Sequence, residues 1–155
     1  MKRLKVQDMV IITDSREQCP WLFTSIIPPP KIIIQGLKTG DYSIQGGENS
    51  GIVVERKSIP DLFRSVGKGR NRLESEFQRM AEYQYAAIIL ERSFASIIKN
   101  PPENTQMLPK AVFQTLISWS IKYGVHVWPA EDRIMAEKIC YSLFSKFWKY
   151  QLERI

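Results

Sequence analysis

Cysteine and histidine are scarce in this sequence, which has two cysteines and one histidine among its 155 residues. Cys19 and Cys140 are too few for a disulfide framework and lack the spacing of metal ligands. We therefore expect both to be buried or half-buried thiols in a reducing compartment. His126 stands between two valines with no neighbouring partner for metal binding or nucleophilic catalysis, and we interpret it as structural.

Long hydrophobic runs are also absent. The apolar run near the start, Met9 to Ile12, is too short for the core of a signal peptide. No other run approaches the length of a membrane span. We therefore expect a cytoplasmic protein that does not contact a membrane. The chain also contains no internal repeat and no low-complexity segment.

Positive charge exceeds negative charge in this sequence. It has 22 Lys and Arg residues against 16 Asp and Glu residues, a net charge of +6. Lysine and arginine bind polyanions by neutralising phosphates and releasing their counterions. The balance therefore favours a nucleic acid as partner.

Strand-like and helix-like segments alternate along the chain. Short apolar runs bounded by turn residues predict strands at 9–13 and 85–91, two or three strands within 31–55, and a last strand at 125–128. Apolar residues at helical spacing predict helices at 58–66, 71–84, 110–123 and from Glu131 to the end. This alternation predicts an α/β fold, a single domain over 1–155 with a mixed central sheet flanked by helices.

Four carboxylates stand at the ends of predicted strands or just beyond them: Asp14, Asp41, Glu55 and Glu91. In an α/β sheet such strand ends line a crevice in which ligands bind. Clustered carboxylates repel one another unless a proton or cation lies between them. Oxygen ligands without histidine or cysteine favour Mg²⁺ or Mn²⁺ over zinc. We interpret Glu91 as structural, paired with Arg92 or Arg56, rather than as a ligand.

A lysine accompanies one of these carboxylates on the same strand. Residues two apart in a strand share a face, so Lys57 points the same way as Glu55 and Arg56 points the other way. An ammonium group beside a metal site suits an anionic substrate, because it can orient a water molecule or stabilise charge on a phosphate. The set Asp41-x13-Glu55-x-Lys57 fits the Asp…Glu-x-Lys arrangement of restriction-endonuclease-like nucleases, which hydrolyse phosphodiesters with a metal.

The residues around this set resemble the nuclease motif of the XPF family of structure-specific endonucleases. "GDY" at 40–42 and "ERKSIPD" at 55–61 together read GD-x13-ERK-x3-D. "ITDSRE" at 12–17 is similar to the first motif of the family, and "YAAIILE" at 85–91 to its next strand. The order of the motifs matches the family from about residue 9 to 148.

The resemblance implies a role for each site residue. Asp14, Asp41 and Glu55 would be the metal ligands, with the backbone carbonyl of Arg56 as a further donor. Lys57 would position or activate the attacking water. Arg16 would contact a phosphate, and Glu17 and Asp61 would support the site. We count Arg16 and Asp61 among the catalytic residues, together with Lys57, Glu55 and Asp41.

A basic run follows the first predicted helix after the motif. Lys68, Arg70 and Arg72 form either a solvated loop and helix start or an arm that contacts phosphates. We include the run with Arg16 and Arg56 in the candidate set of DNA-binding residues.

The resemblance implies a Mg²⁺- or Mn²⁺-dependent DNA endonuclease that acts on branched, flap or fork DNA in repair or recombination. We expect a compact prokaryotic or phage-like version without the helix-hairpin-helix domain of longer members. The alternative is a non-catalytic DNA-binding or dimer-scaffold subunit on the same fold. The intact GD and ERK motifs favour the enzyme. A third possibility is a related nuclease of another lineage, such as a restriction enzyme or junction resolvase that shares only the ExK core. The additional D-x-R-E motif and Asp61 argue against it.

We also expect a homodimer through the C-terminal helices. The last predicted helix carries apolar residues over more than four turns and ends with Phe147, Trp148 and Leu152. This aromatic end is broader than the core of one domain requires, and broad exposed apolar patches usually mark partner surfaces.

Overall fold

The computed structural model describes residues 5–154 of the chain; residues 1–4 and 155 of the expected domain lie outside the described part. A short 3₁₀ turn, Val6–Asp8, comes first. The strands are β1 (Val10–Asp14), β2 (Lys31–Gln35), β3 (Tyr42–Ile44), β4 (Ile52–Lys57), β5 (Tyr85–Leu90) and β6 (His126–Pro129). The helices are α1 (Ile59–Val66), α2 (Arg70–Met80), α3 (Phe94–Lys99), α4 (Pro109–Tyr123) and α5 (Arg133–Glu153).

The six strands form one mixed sheet in the order β2-β1-β3-β4-β5-β6. Strand β3 pairs antiparallel with both β1 and β4, and the other neighbours pair parallel. Strands β1 and β4 therefore run in the same direction, and their C-terminal ends lie at one edge of the sheet. The predicted α/β fold with a mixed central sheet flanked by helices in a single domain is confirmed.

Alternating side chains of the central strands build a core on each face of the sheet. On one face Val53 and Ile88 pack with buried residues of α1, α2 and α4. On the other face Val54 and Ile89 pack against α5. Because successive strand residues point to opposite faces, Glu55 and Lys57 project from the end of β4 on the side of α1 and α2, and Arg56 projects on the side of α5.

Several elements differ from the sequence prediction. Strand β4 continues to Lys57, helix α2 ends at Met80, and helix α5 begins at Arg133, after Asp132 whose side chain accepts from Met135 N. Helix α3 was not predicted; Ser93 caps its first turn through a bond from Ser96 N. Six residues are too few to display a helical period, which explains the omission.

The prediction of a broad exposed aromatic surface at the end of α5 is wrong. Phe144 is fully buried, and Phe147 and Trp148 are partly buried against the same core. The indole of Trp148 donates to the carbonyl of Lys5 at 3.0 Å. These aromatic residues cover the domain's own core, so they do not form a broad exposed patch.

The two cysteines differ in exposure, and no membrane span is found among the described helices. Cys140 is buried as expected, but Cys19 is exposed, so the expectation of two sheltered thiols is wrong for Cys19. Within residues 5–154, none of the helices combines the length and the apolar character needed to cross a membrane.

Candidate active site

Backbone hydrogen bonds bring the first three predicted carboxylates to one edge of the sheet. The amide of Asp14 donates to the carbonyl of Asp41 at 2.8 Å, and the amide of Asp41 donates to the carbonyl of Val54 at 2.9 Å. Asp41 thus joins the ends of β1 and β4, just before β3 begins. Its carboxylate accepts from the amide of Arg56 at 2.8 Å, which fixes the side chain beside Glu55.

The glycine before Asp41 makes this close approach possible. Gly40 has a φ of 78°, in the left-handed region that L side chains rarely adopt. A Cβ atom at this position would overlap the side chain of Val53 and would approach the carbonyl of Val54 to 3.2 Å. The GD dipeptide therefore has a mechanical basis, because glycine lets the chain pass against β4 and place the aspartate.

Asp41 and Glu55 form a close acidic pair. Their carboxyl groups lie within hydrogen-bonding reach of each other, and burial raises the pKa of Asp41 to about 6. Burial, together with the negative charges of Asp41 and Glu76, also raises the pKa of Glu55 well above its usual range. A site that disfavours the ionised form of its own acids is suited to receive a cation.

Lys57 lies next to this pair on the same face of β4. Its Nζ atom is 3.6 Å from Oε1 of Glu55 and 3.9 Å from Oε2 of Glu76, and its side chain is only 12% exposed. The predicted pairing of Glu55 with Lys57 on one face is therefore present. Glu76, from α2, is a site residue that the sequence reasoning did not select.

Asp14 lies beside the pair, with its carboxylate already hydrogen-bonded. It is 4% exposed, and its oxygens accept from the amide of Leu37 at 2.8 Å and from Nε of Arg16 at 3.0 Å. Among the side chains of residues 5–154, no three from His, Cys, Asp and Glu come close enough to hold one metal ion. The expected set of three carboxylates is therefore not preassembled.

The donor chemistry nevertheless fits a hard divalent cation. Asp14, Asp41, Glu55 and Glu76 line one cavity of about 230 Å³, and all offer carboxylate oxygens, which Mg²⁺ and Mn²⁺ prefer. A cation beside Asp41 and Glu55 would offset the burial that keeps both pKa values high and the repulsion that Asp41 and Glu76 exert on Glu55.

Cationic side chains line this cavity and a neighbouring one. Arg16, Lys38 and Arg79 line it, and Glu76 and Arg79 also line a neighbouring cavity of about 630 Å³. The second cavity adds the side chains of Lys57, Asp61, Arg64, Lys68 and Arg72. The two cavities form one groove with a basic rim, which we call the candidate active groove. Lys38 and Arg79 are rim residues that the sequence reasoning did not select.

The structure divides the predicted basic run in two. Lys68 and Arg72 line the candidate active groove, as a phosphate-contacting arm requires. Arg70 points elsewhere, with Nη1 3.1 Å from Oγ1 of Thr115 and its guanidinium 4.8 Å from the ring centre of Trp119. Arg70 therefore attaches α2 to α4, and we remove it from the candidate DNA contacts.

Arg56 likewise lies away from the groove. Its guanidinium pairs with Glu17 at 3.1 Å and with Glu91 at 2.6 Å, and its side chain is 13% exposed. Glu91 also pairs with Arg133 at the start of α5. We therefore remove the Arg56 side chain from the DNA contacts, because it neutralises two sheltered carboxylates. Glu17 thus holds the side chain of Arg56 by an ion pair. Glu91 pairs with Arg56, one of the two partners expected for it.

Asp61 stands at the start of α1 on the wall of the groove. Ser58, the N-cap of α1, donates its hydroxyl to Asp61 at 2.9 Å and accepts from the amide of Asp61. The carboxylate also pairs with Arg64, and Arg64 and Ser58 lower its pKa against the effect of its partial burial. Asp61 thus fixes the first turn of the helix that follows Lys57.

Comparisons with known proteins agree with this architecture. One similar solved structure is XPF from Aeropyrum pernix, 23% identical with a TM-score of 0.68, covering 86% of this chain and 59% of that chain. A second is XPF from Aeropyrum pernix in complex with DNA, 24% identical with a TM-score of 0.69, covering 90% and 65%. The chain thus spans less than two thirds of the length of either structure.

No curated protein matches the sequence. The family model described as the ERCC4 domain matches residues 2–143, which confirms the XPF-family resemblance drawn from the motifs. Since that match covers most of the chain, the protein belongs to the ERCC4 domain family.

Proposed function

We propose that this protein is a divalent-metal-dependent DNA endonuclease. The observation that carries the proposal is the cavity that Asp41 and Glu55 line together, with Nζ of Lys57 3.6 Å from Glu55 on the same face of β4. Two acids and one ammonium group at a basic groove are the parts that metal-assisted phosphodiester hydrolysis needs. The family and the similar DNA-bound structure support DNA as the substrate.

Asp41 and Glu55 would hold the cation, with Asp14 and Glu76 as further oxygen donors in the same cavity. When bound, the metal neutralises phosphate charge and lowers the pKa of a coordinated water molecule. The amide of Arg56 holds Asp41 in place through its 2.8 Å bond. Arg16 donates to the Asp14 carboxylate and, at 2.7 Å, to the carbonyl of Leu37. Its side chain is 73% exposed, so its remaining N–H groups would contact a phosphate.

Lys57 provides the positive charge nearest to the proposed reaction. Glu55 and Glu76 hold its ammonium group from two sides, which limits its movement before substrate arrives. From this position it donates a hydrogen bond to the attacking water or to a phosphate oxygen as negative charge develops there. Because an ammonium group cannot ligate a cation, its role is separate from that of the acids.

The DNA backbone would follow the candidate active groove. Its rim carries Arg16 and Lys38 at one end, Arg79 between the two cavities, and Lys68 and Arg72 at the other end. Side chains of this kind bind phosphates in any sequence, so they position DNA without reading its bases. We therefore propose selection by DNA shape, with branched, flap or fork DNA as the preferred substrates.

A substrate panel tests the proposal. Flap, fork, junction and plain duplex DNAs, each labelled on one strand, are incubated with the protein in Mg²⁺, Mn²⁺ or EDTA. We expect cleavage of the branched substrates in either metal, weaker cleavage of the duplex, and none in EDTA. Binding of DNA without cleavage under every condition would favour the non-catalytic scaffold instead.

We also propose a homodimer, on a surface different from the aromatic end of α5. Exposed apolar side chains stand on α4 and on the edge strand β6: Ile117, Ile121 and Trp128. Ser120, next to Ile121, lines the same cavity as Trp128, so α4 and β6 contribute to one patch. Large exposed apolar patches usually mark partner surfaces.

Light scattering on a sizing column tests this surface. We expect a mass of twice the 18.0 kDa chain for the wild type, and a monomer for Ile121→Glu because Ile121 is 80% exposed. Ile34→Glu, on the edge strand β2 with 75% exposure, is the matched control and should remain dimeric. A wild-type monomer at tens of micromolar would refute the dimer.

A further inference from the structure

A second cleft lies beside the candidate active groove and has no role in the reaction described above. It has a volume of about 730 Å³, within the range of small-molecule sites. One side is formed by α1 and the turn after it, including Pro60, Phe63, Arg64 and Lys68, and the other side by residues 102–107. We call it the lateral cleft.

The lateral cleft is continuous with the groove in which DNA is proposed to lie. Arg64 and Lys68 line both of them. Helix α1 begins two residues after Lys57 and has eight residues, which makes it about 12 Å long. One DNA strand advances about 3.4 Å per nucleotide. The far end of the cleft is therefore roughly three to four nucleotides from the proposed cleavage point.

The lining of the cleft is chemically divided. Its walls include apolar surface from Pro60, Phe63, Pro102 and Met107. Cations come from the α1 side, where Arg64 also pairs with Asp61. Hydrogen-bonding groups come from the opposite loop, which contributes Glu103, Asn104, Thr105 and Gln106. The apolar walls suit the flat face of a base, and the cationic side chains suit the phosphate of a nucleotide. The amide and carboxylate groups of the loop suit the polar edge of the base.

We infer that the lateral cleft binds one unpaired nucleotide of the DNA substrate. Its phosphate lies against Arg64 and Lys68, its base enters between the apolar walls, and the base edge faces the loop of residues 102–107. A base inside a duplex stack cannot enter, whereas a single-stranded base is free to pack against a protein surface. This inference rests on the proposed function and adds a physical reason for a preference for DNA with a single-stranded part.

An abasic scan on the unmodified protein tests the inference directly. A flap DNA is made as a series in which one nucleotide of the single strand lacks its base, and affinity is measured in EDTA so that nothing is cut. We expect the loss to concentrate at one or two adjacent positions, three to four nucleotides from the cleavage point, at about tenfold. Because the abasic series keeps every phosphate, simple charge attraction predicts no such position.

A cavity-filling variant locates the effect. Gln106→Trp places an indole in the cleft and should weaken flap binding about tenfold, remove the abasic effect and leave duplex binding unchanged. Gln45→Trp, an exposed position in the turn after β3, is the matched control and should behave as wild type. An abasic scan without a sensitive position, or a Gln106→Trp protein that keeps it, would overturn the inference.

The two proposals fail in different ways. Metal-dependent cleavage together with a flat abasic scan would refute the nucleotide site and leave the endonuclease intact. A protein that neither binds nor cuts any DNA would refute both. A sensitive position that persists in Gln45→Trp and disappears in Gln106→Trp would support the site independently of the cleavage rate.

Discussion

Asp41 and Glu55 place two acids side by side in a sheltered cavity, where both have a raised pKa. In an apolar core such a pair would be a defect, because burial and mutual repulsion oppose ionisation. At the end of two parallel strands, next to a basic groove, the same repulsion becomes useful. A divalent cation bound there would relieve it, so part of the cation's affinity would come from the folded protein itself.

The acidic pair predicts a particular pH dependence of stability. The pKa of Asp41 is about 6 in the folded protein and about 3.9 in an unfolded chain. The folded state thus binds more protons between these values, and the stability from this group is present below pH 4 and lost as pH rises through 6. Metal-free wild type should lose on the order of 2 to 3 kcal/mol more than Asp41→Asn between pH 4 and pH 7.

Urea unfolding of the two proteins in EDTA at a series of pH values measures this difference. Carboxylates away from the pair titrate equally in both proteins, so their contribution cancels in the comparison. The charge of Asp41 also raises the pKa of Glu55 in the wild type, which changes the difference in the same direction. Parallel stability curves for wild type and Asp41→Asn would contradict the raised pKa.

Lys57 should be needed for chemistry more than for metal binding. We expect Lys57→Ala to lower the single-turnover cleavage rate by orders of magnitude while calorimetry shows a smaller change in Mg²⁺ affinity. The reason is that the ammonium group contacts Glu55 and Glu76 but cannot itself ligate a cation. Lys122→Ala, at an exposed lysine of α4 paired with Glu74, is the control. A Lys57→Ala protein that regains the full rate at high Mg²⁺ would contradict this role.

Sequence reasoning identified the residues that stand at strand ends and missed those that packing brings in. Asp14, Asp41 and Glu55 follow apolar runs, so their common edge was predictable from strand direction. Glu76 and Arg79 lie on α2, and only the packing of that helix against the sheet directs them to the site. A signal for Glu76 did exist, because Leu73 and Phe77 define the buried face of α2 and leave Glu76 at its margin.

The predicted helices and strands were accurate where their sequence pattern was long. The helices α1, α2, α4 and α5 follow apolar periods, and the strands are marked by short apolar runs between turn residues, whereas the six residues of α3 are too few to show a helical period. The sequence also groups Lys68, Arg70 and Arg72 into one basic run. The helical turn that starts at Arg70 sends its side chain to Thr115 and Trp119 instead, which no local pattern reveals.

The turn before β3 provides a test of how the fold builds the site. Gly40 and Gly46 both have positive φ angles, but an added Cβ at Gly46 meets nothing within 4 Å whereas one at Gly40 overlaps Val53. We expect Gly46→Ala to lower the free energy of unfolding by about 1 kcal/mol. Gly40→Ala should cost about 1 to 3 kcal/mol more, because the extra methyl is forced into packed atoms.

The same pair of variants separates strain from loss of function. Gly40→Ala should also weaken Mg²⁺ binding, since it displaces Asp41, and Gly46→Ala should leave it unchanged. Thermal or urea unfolding, together with calorimetry, measures both effects. Equal behaviour of the two variants would show that the close approach at Gly40 does not position the site.

Across the whole molecule, charge is distributed so that the groove is basic while its floor is acidic. The net charge is +6, and the rim of the candidate active groove carries Arg16, Lys38, Arg79, Lys68 and Arg72. Binding that rests on phosphates should weaken steeply with salt, with a slope of about −0.9 per neutralised phosphate. A log–log plot of DNA affinity against salt should therefore be steep for wild type.

Charge-reversal variants show which basic side chains contact DNA phosphates. Lys68→Glu or Arg72→Glu should reduce the steepness, while Arg70→Ala should leave it unchanged because Arg70 is directed away from the groove. A flat plot for wild type would rule out phosphate-based binding, and a large effect of Arg70→Ala would contradict the proposed path.

The central claim is that Asp41 and Glu55 form the metal site of a DNA endonuclease, and single-turnover cleavage of a flap DNA by Glu55→Gln tests it most directly. The substitution removes a charge and keeps the shape, so fold and DNA affinity should persist while Mg²⁺-dependent cleavage disappears. Glu82→Gln, at an exposed position after α2, should cut as wild type does. A Glu55→Gln protein that binds DNA normally and still cuts at close to the wild-type rate would contradict the account.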